Sequence, residues 1–153
     1  MARRSPSSHA VALDVASQSF VSLTVRGIES LDPPVPTSHL RALLVLERSG
    51  PLNLGRLAEG LHLSLSATSR TCDRLVESRL IVRDTAPHSR RELVLTLAPA
   101  GRRILHQLHL ARQAAFDEVL QQMAPGDVEK LLEGLQSFTA AAGTHLGEAV
   151  LDA

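Results

Sequence analysis

A stretch near the middle of the chain carries hydroxyl and guanidinium side chains at helical spacing. If residues 65–78 form a helix, one face presents Ser66, Ser69, Arg70, Asp73, Arg74 and Glu77. The opposite face holds Thr68, Thr71, Cys72 and Leu75, which can pack inward. Short hydroxyl side chains at the start of a helix let its backbone approach a partner, and Arg70 is long enough to reach a guanine edge. The pattern indicates a helix that enters the major groove of duplex DNA, although a solvated amphipathic helix has the same spacing.

The neighbouring residues indicate how this helix is held. Asn53 is a good N-cap for a short helix over residues 54–61, and Ser64 is a good N-cap for the helix over residues 65–78. The short connection between them suits a helix-turn-helix. After residue 78 the hydrophobic period changes, which predicts two strands over residues 81–84 and 92–97. The residues between the strands, 85–91, have the composition of a turn.

Longer helical segments flank this unit. Apolar periodicity predicts helices over residues 10–30, 37–48, 99–123 and 127–146. Thr37 or Ser38 is the expected N-cap of the second helix, and Asp127 that of the last, after a break at Pro125 and Gly126. The fold class is therefore mainly α with a small β-hairpin, a winged helix-turn-helix with long terminal helices that mediate dimerisation.

The predicted organisation has three parts. Residues 1–9 form a disordered tail, and residues 37–98 form the winged helix-turn-helix lobe that binds DNA. Residues 10–36 and 99–153 form the helical dimerisation region, because their apolar faces are too large to stand alone in water.

Composition excludes several classes of protein. The chain has 153 residues, of which 44% are hydrophobic and 21% charged, as in an ordinary globular domain. No apolar run approaches the roughly 20 residues that span a bilayer, so no membrane partner is expected. With Cys72 as the single cysteine, no internal disulfide forms, and a cytoplasmic location is the simpler expectation. The sequence shows no nucleophile–base pair and no phosphate-binding glycine loop, so we expect neither an enzyme nor a cofactor.

Charge is unevenly distributed along a chain of zero formal net charge. Residues 53–103 carry nine arginines and five acidic residues, whereas residues 104–153 carry two basic and seven acidic residues. A basic middle next to an acidic end is typical of a chain that meets a polyanion with one region only.

Several motifs, in their order along the chain, resemble those of the multiple-antibiotic-resistance regulator (MarR) family. The matching runs are Leu57-Ala58-Glu59, Leu61-His62-Leu63-Ser64-Leu65-Ser66, Ser69-Arg70, Asp73-Arg74-Leu75, Leu80-Ile81-Val82-Arg83 and Arg90-Arg91 through Gly101. The resemblance covers residues 37–103. It implies a homodimeric regulator of transcription, expected to be a repressor, that binds a palindromic operator and is released by a small aromatic or anionic effector.

The resemblance also implies roles for individual residues. Those expected to contact DNA are Ser64, Ser66, Ala67, Ser69, Arg70, Arg74, Arg90 and Arg91, with Arg91 at the wing tip in the minor groove. An effector crevice is a guess by position in the fold, lined by His39, Arg41, Arg102, Arg103 and His106.

Three residues depart from the family pattern. Ser89 stands where an Asp usually pairs with the wing arginine, so either Arg91 is more mobile or Asp84 substitutes as its partner. Arg79 stands where glycine usually follows the recognition helix, so either a left-handed residue costs about 1 kcal/mol or the helix ends differently. Ala98 stands where a Thr usually caps the next helix, at a cost of about 1 kcal/mol.

Parts of the sequence are compatible with other chemistry. His106 and His109 share a helical face and His39 lies near in this fold, which leaves open a zinc-sensing regulator or a small metal enzyme; the expectation is that no metal binds. A winged-helix module that binds protein would present an apolar or acidic face, which Ser69 and Arg70 argue against. Cys72 is expected to be a buried, inert thiol.

Overall fold

The computed structural model describes residues 7–86 and 89–146, except for the side chains of residues 86–92 and 144–146. Along that part of the chain the elements are α1 (Ser8–Glu29), α2 (Thr37–Ser49), α3 (Leu54–Leu61), α4 (Leu65–Glu77), β1 (Ile81–Ala86), β2 (Ser89–Leu97), α5 (Pro99–Leu120) and α6 (Pro125–Leu146). The two strands form one antiparallel sheet. The predicted fold class, mainly α with a small hairpin, is confirmed.

Side-chain caps begin the two helices of the helix-turn-helix. The Asn53 side chain accepts a hydrogen bond from the Arg56 backbone N–H at 2.9 Å, and Ser64 Oγ accepts one from the Ala67 backbone N–H at 3.3 Å. Each bond satisfies a backbone donor that would have no partner inside the helix. Both predicted caps are confirmed, and they fix where α3 and α4 begin.

Other predicted boundaries need correction. Pro36, and neither Thr37 nor Ser38, is the N-cap residue of α2; it makes no side-chain cap, but its carbonyl accepts from the N–H groups of residues 39 and 40 at 2.9 and 3.0 Å. Asp127 lies in the first turn of α6, which begins at Pro125. Proline starts a helix well, because its missing N–H would have no partner there and its φ is already helical.

The first helix begins earlier than predicted. α1 starts at Ser8, and Ser7 Oγ accepts a hydrogen bond from the Ala10 backbone N–H at 3.2 Å. Ser7 is therefore the N-cap of this helix and residues 8 and 9 belong to it, and not to the predicted tail. The remainder of that predicted tail, residues 1–6, lies outside the described residues.

The hairpin is longer than the hydrophobic pattern suggested. Ile81 pairs with Leu97 and Arg83 with Leu95, and pairing continues to a register shift between Thr85 and Ala86. The predicted turn over residues 85–91 is thus mostly strand. Backbone pairing needs no apolar alternation on a ribbon that faces solvent, so polar residues extend both strands.

One core joins the winged helix-turn-helix to the first half of α5. Its fully buried side chains come from six of the elements and include Leu43, Leu57, Leu75, Leu95 and Leu105. Because α5 contributes to the same core as α2, α3 and α4, the lobe is packed directly against this long helix.

The end of α4 and the start of α5 meet at Leu80. The Leu80 carbonyl accepts a hydrogen bond from the Ala98 N–H at 3.0 Å, and a Cβ on Gly101 would collide with the same carbonyl oxygen. Arg79 adopts the left-handed conformation, with a φ of 58°. Of the two alternatives for Arg79, the structure shows the left-handed one, which costs a non-glycine residue about 1 kcal/mol.

The start of α5 offers a simple gain in stability. Ala98 has the extended conformation of an N-cap, with φ −74° and ψ 163°, and no side chain caps the helix. We expect Ala98→Ser to raise the free energy of unfolding by about 1 kcal/mol, measured by urea denaturation. Ala100→Ser, inside the first turn, is the matched control. An equal gain from both substitutions would contradict the capping explanation.

The terminal helices are only partly covered. α1 packs along α5, with the rings of Phe20 and Phe116 6.1 Å apart and a 3.4 Å ion pair between Arg26 and Glu118. α6 contacts the rest of the described chain sparsely. Exposed apolar side chains on these helices include Val11, Leu13, Val15, Val21, Leu132 and Phe138. None of the helices in the described ranges has the length and apolarity to cross a bilayer.

Candidate nucleic-acid interface

α4 is oriented as its sequence periodicity predicts. Thr68, Cys72 and Leu75 are completely buried against the core. Ser66 and Arg70 are exposed on the opposite side, so the polar face points outward. The interpretation that hydroxyl and guanidinium groups form the accessible face of this helix agrees with the structure.

The start of α4 combines small side chains with the positive end of a helix dipole. Ser64 and Ser66 are exposed, their hydroxyl oxygens 3.2 Å apart, while Ala67 and Ser69 are half-buried. Thr68 Oγ1 donates to the Ser64 carbonyl at 3.0 Å, which holds the first turn. The side chains of Ser64, Ser66 and Ala67 are small, so a phosphate or a base edge can approach the helix backbone closely along this face.

Asp73 forms its ion pair with a residue that sequence reasoning did not consider. Arg70 and Arg74 share the polar face of the helix with Asp73, but it is Arg83 on β1 that donates to Asp73 Oδ1, at 2.9 Å. Arg83 can reach Asp73 because β1 packs beside α4. The pair ties α4 to the wing, and Arg70 has no ion-pair partner among the described side chains, those of residues 7–85 and 93–143.

The two wing arginines are placed only by their backbone. Arg90 and Arg91 belong to β2, and their side chains fall outside what the structure describes. The predicted pairing of Arg91 with Asp84 therefore also lies outside the described side chains and stays a prediction. The Asp84 carboxylate accepts a hydrogen bond from the Thr85 backbone N–H at 2.8 Å.

Arg74 lies close enough to His39 to act on it electrostatically. Burial lowers the pKa of the His39 imidazole below its ordinary value of 6.5, and the positive charge of Arg74 lowers it further. The side chain at the end of α4 therefore faces the start of α2, although Arg74 itself remains exposed.

This depressed pKa predicts a pH dependence of stability. The unfolded chain binds a proton at His39 more tightly than the folded chain does. Neutral His39 therefore makes its full contribution to folding stability above the unfolded pKa of 6.5. It is lost as the pH falls through 6.5 toward the lower folded value. When the pH is lowered from about 7.5 to about 5, we expect the free energy of unfolding to fall less for His39→Gln than for the parent chain, as measured by urea denaturation at each pH. Identical pH profiles for the two proteins would refute this assignment.

Three of the five residues guessed to line an effector crevice line one depression of this chain. Arg102, Arg103 and His106 line a shallow depression of ≈ 380 Å³ together with Gln107. Arg41 instead donates to the Leu61 carbonyl at 2.9 Å, at the end of α3, and His39 lies by Arg74. The guess therefore remains a proposal for the three residues of α5 only.

His109 has a carboxylate partner that sequence reasoning missed. Its Nε2 lies 2.9 Å from Glu47 Oε2, joining α5 to α2. His109 directly follows the buried Leu108, and Glu47 directly follows the buried Leu46. A position next to a core leucine on each helix is a sequence signal from which this contact could have been predicted. Within the described ranges, no group of three or more His, Cys, Asp and Glu side chains is arranged to hold a metal ion.

Cys72 is fully buried on the inward face of α4. Burial raises the pKa of its thiol above the ordinary value; Arg83 opposes that rise and Asp73 adds to it. A thiol with a raised pKa and no exposure is a weak nucleophile, which agrees with the expected inert role.

Comparison with known proteins gives a consistent result. A family model described as MarR family matches residues 34–92. The crystal structure of RV1404 from Mycobacterium tuberculosis is 35% identical, with a TM-score of 0.80 over 94% of this chain and 99% of that one. A Bacillus subtilis (strain 168) protein, the uncharacterized HTH-type transcriptional regulator YfiV, is 27% identical over 72% of this chain and 68% of its own length.

A more distant structure shares the fold. A MepR mutant from S. aureus, bound to an oligodeoxyribonucleotide, is 14% identical, with a TM-score of 0.64 over 90% of this chain and 99% of that one. At this identity the likeness concerns the fold alone. It supports the assignment of the hairpin and α4 to a winged helix.

Proposed function

Because the chain belongs to the MarR family of transcriptional regulators, we propose that it is a homodimeric repressor that binds a palindromic operator. The observation that carries this proposal is the outward face of α4, where Ser66 and Arg70 are exposed beside a capped helix start. Family membership makes the chain a DNA-binding regulator, and the geometry of α4 supports its outward face as the surface that reads the DNA.

The docking follows from the shape of the lobe. The start of α4, with Ser64, Ser66 and Ala67, enters the major groove, and Ser69 and Arg70 meet the base edges. Arg74 lies further along α4 and contacts a phosphate or holds its neighbours in place. The hairpin extends beside this helix and carries Arg90 and Arg91 toward the adjacent minor groove. Bases are read by Arg70 and the hydroxyl groups, and the wing contributes affinity.

A second copy of the chain is the proposed partner of the terminal helices. An open, largely apolar groove of ≈ 330 Å³ runs between them, lined by residues of α1, α5 and α6 that include Phe20, Phe116, Leu132 and Leu135. Exposed apolar surface of this kind is stable in water only when covered. Dimerisation through these helices would set two copies of α4 roughly 34 Å apart, one helical turn of DNA.

Release by a small ligand completes the proposal. The depression lined by Arg102, Arg103 and His106 lies on α5, where the lobe joins the dimerisation region. A small aromatic or anionic effector that bound one arrangement of the lobes more tightly would shift the dimer toward that arrangement.

The proposal is tested by asking which DNA the protein retains. Purified protein is mixed with sheared genomic DNA from its source, and the retained fragments are sequenced and footprinted at low and moderate salt. We expect one or a few enriched fragments, each with two protected half-sites about one helical turn apart, and binding that weakens as salt rises. Retention without enrichment, or protection of a single half-site by a monomer, would refute it.

A further inference from the structure

A basic depression lies where the end of α4, the start of β1 and the start of α5 meet. Its volume is ≈ 590 Å³, and we refer to it as the junction depression. Three arginines line it, Arg79, Arg83 and Arg103. The rest of its lining is apolar, namely Val76, Ile81, Val82, Ala98, Pro99 and Ala100. A rim of guanidinium groups around an apolar floor is complementary to a molecule with one anionic end and one apolar end.

The positive charge at this rim is only partly compensated. Arg83 is paired with Asp73 at 2.9 Å, but Arg79 and Arg103 have no ion-pair partner in the part of the chain that the structure describes. Both side chains are exposed. α5 also begins here without a side-chain cap, so the positive end of its dipole adds to the field of the two arginines. The depression therefore favours an anion.

The floor determines what the anion carries. Val76 and Val82 are 37% and 45% exposed beside these cations. An apolar group that covers them removes this apolar surface from water, which favours binding. None of the lining residues is aromatic, so the floor offers aliphatic contact and no ring to stack on. Guanidinium groups bind carboxylates through paired, charge-assisted hydrogen bonds.

We propose that the junction depression binds an aliphatic carboxylate, with the carboxylate between Arg79 and Arg103 and the hydrocarbon chain on the valine floor. The site differs from the proposed DNA interface, because Val76 lies about 18 Å along α4 from its N-cap Ser64. It also differs from the depression of Arg102, Arg103 and His106, which shares only Arg103. Ligand binding at this site does not depend on the proposed operator binding.

The test uses octanoate as the probe and the full chain as the protein. Isothermal titration calorimetry measures the affinity of the parent chain for octanoate, with acetate as the probe that lacks the hydrocarbon chain. Arg103→Ala removes one guanidinium, and Arg79→Gly removes the other while suiting the left-handed backbone at that position. Arg48→Ala is the matched control, because it removes one exposed guanidinium at the end of α2 and does not line the junction depression.

We expect octanoate to bind at least about ten-fold more tightly than acetate. Each of the two test variants should weaken octanoate binding about five- to ten-fold, and Arg48→Ala should change it less than two-fold. Amide NMR shifts on octanoate addition should map to Val82 and Ala100. No binding up to about 10 mM octanoate, equal weakening by Arg48→Ala, or shifts at the apolar groove beside Phe116 would each overturn the proposal.

Discussion

Gly101→Ala is expected to lower the free energy of unfolding by about 2–3 kcal/mol, the largest single effect on stability that the structure suggests. A Cβ at this position would collide with the backbone oxygen of Leu80, and it would also lie 3.3 Å from Leu43 Cδ2. A flexible side chain could move aside, but a carbonyl that already accepts a hydrogen bond from Ala98 cannot do so without breaking that bond. Urea unfolding at fixed protein concentration measures the change.

Gly126→Ala is the matched control for this effect. Gly126 also lies in the first turn of a long helix, but nothing stands within 4 Å of the point that an added Cβ would occupy. Alanine favours the helix more than glycine by up to about 1 kcal/mol, so this variant should be neutral or slightly more stable. If Gly101→Ala matched Gly126→Ala, the close approach of α5 to Leu80 would not be required for the fold.

Arg70→Ala should weaken binding to the operator at least about ten-fold without unfolding the protein. Arg70 is exposed in the middle of the reading face and has no ion pair within the described ranges, so its guanidinium is available for a guanine edge or a phosphate. A good base contact is worth about 1–3 kcal/mol, and a symmetric dimer would lose it in both half-sites. Fluorescence anisotropy at several salt concentrations measures the loss.

Lys130→Ala controls for the loss of one positive charge. Lys130 is exposed on α6, where it pairs with Asp127 at 3.0 Å, far along the chain from the reading lobe. Its removal should leave operator affinity within about two-fold. Unchanged affinity in Arg70→Ala, or an equal loss in both variants, would show that binding reflects overall charge and not the outward face of α4.

Local rules were sufficient to predict the helix-turn-helix. Asn53 and Ser64 each accept a hydrogen bond from a backbone N–H nearby in sequence, so cap preference alone located both helix starts. The inward position of Cys72 and Leu75 followed from the helical period, because one face must bury its apolar side chains. The outward face, and with it the candidate DNA interface, was therefore predictable from spacing.

Contacts between distant segments were not predictable in the same way. The pairs Asp73–Arg83 and Glu47–His109 join residues on different elements, and their formation depends on how α4 meets β1 and how α2 meets α5. Each charged residue has many possible partners of opposite charge in the sequence, and only packing determines which of them comes within reach. For the same reason the sequence did not indicate that Arg41 donates a hydrogen bond to the Leu61 carbonyl at the end of α3.

Methylation interference on the retained operator tests most directly that the outward face of α4 reads DNA. Dimethyl sulfate methylates guanine N7 in the major groove and adenine N3 in the minor groove, so it separates contacts of the helix from contacts of the wing. We expect interference at guanines in two half-sites about one helical turn apart, with loss of one guanine signal per half-site in Arg70→Ala. Interference confined to adenines, or an Arg70→Ala pattern identical to that of the parent chain, would contradict a reading role for α4.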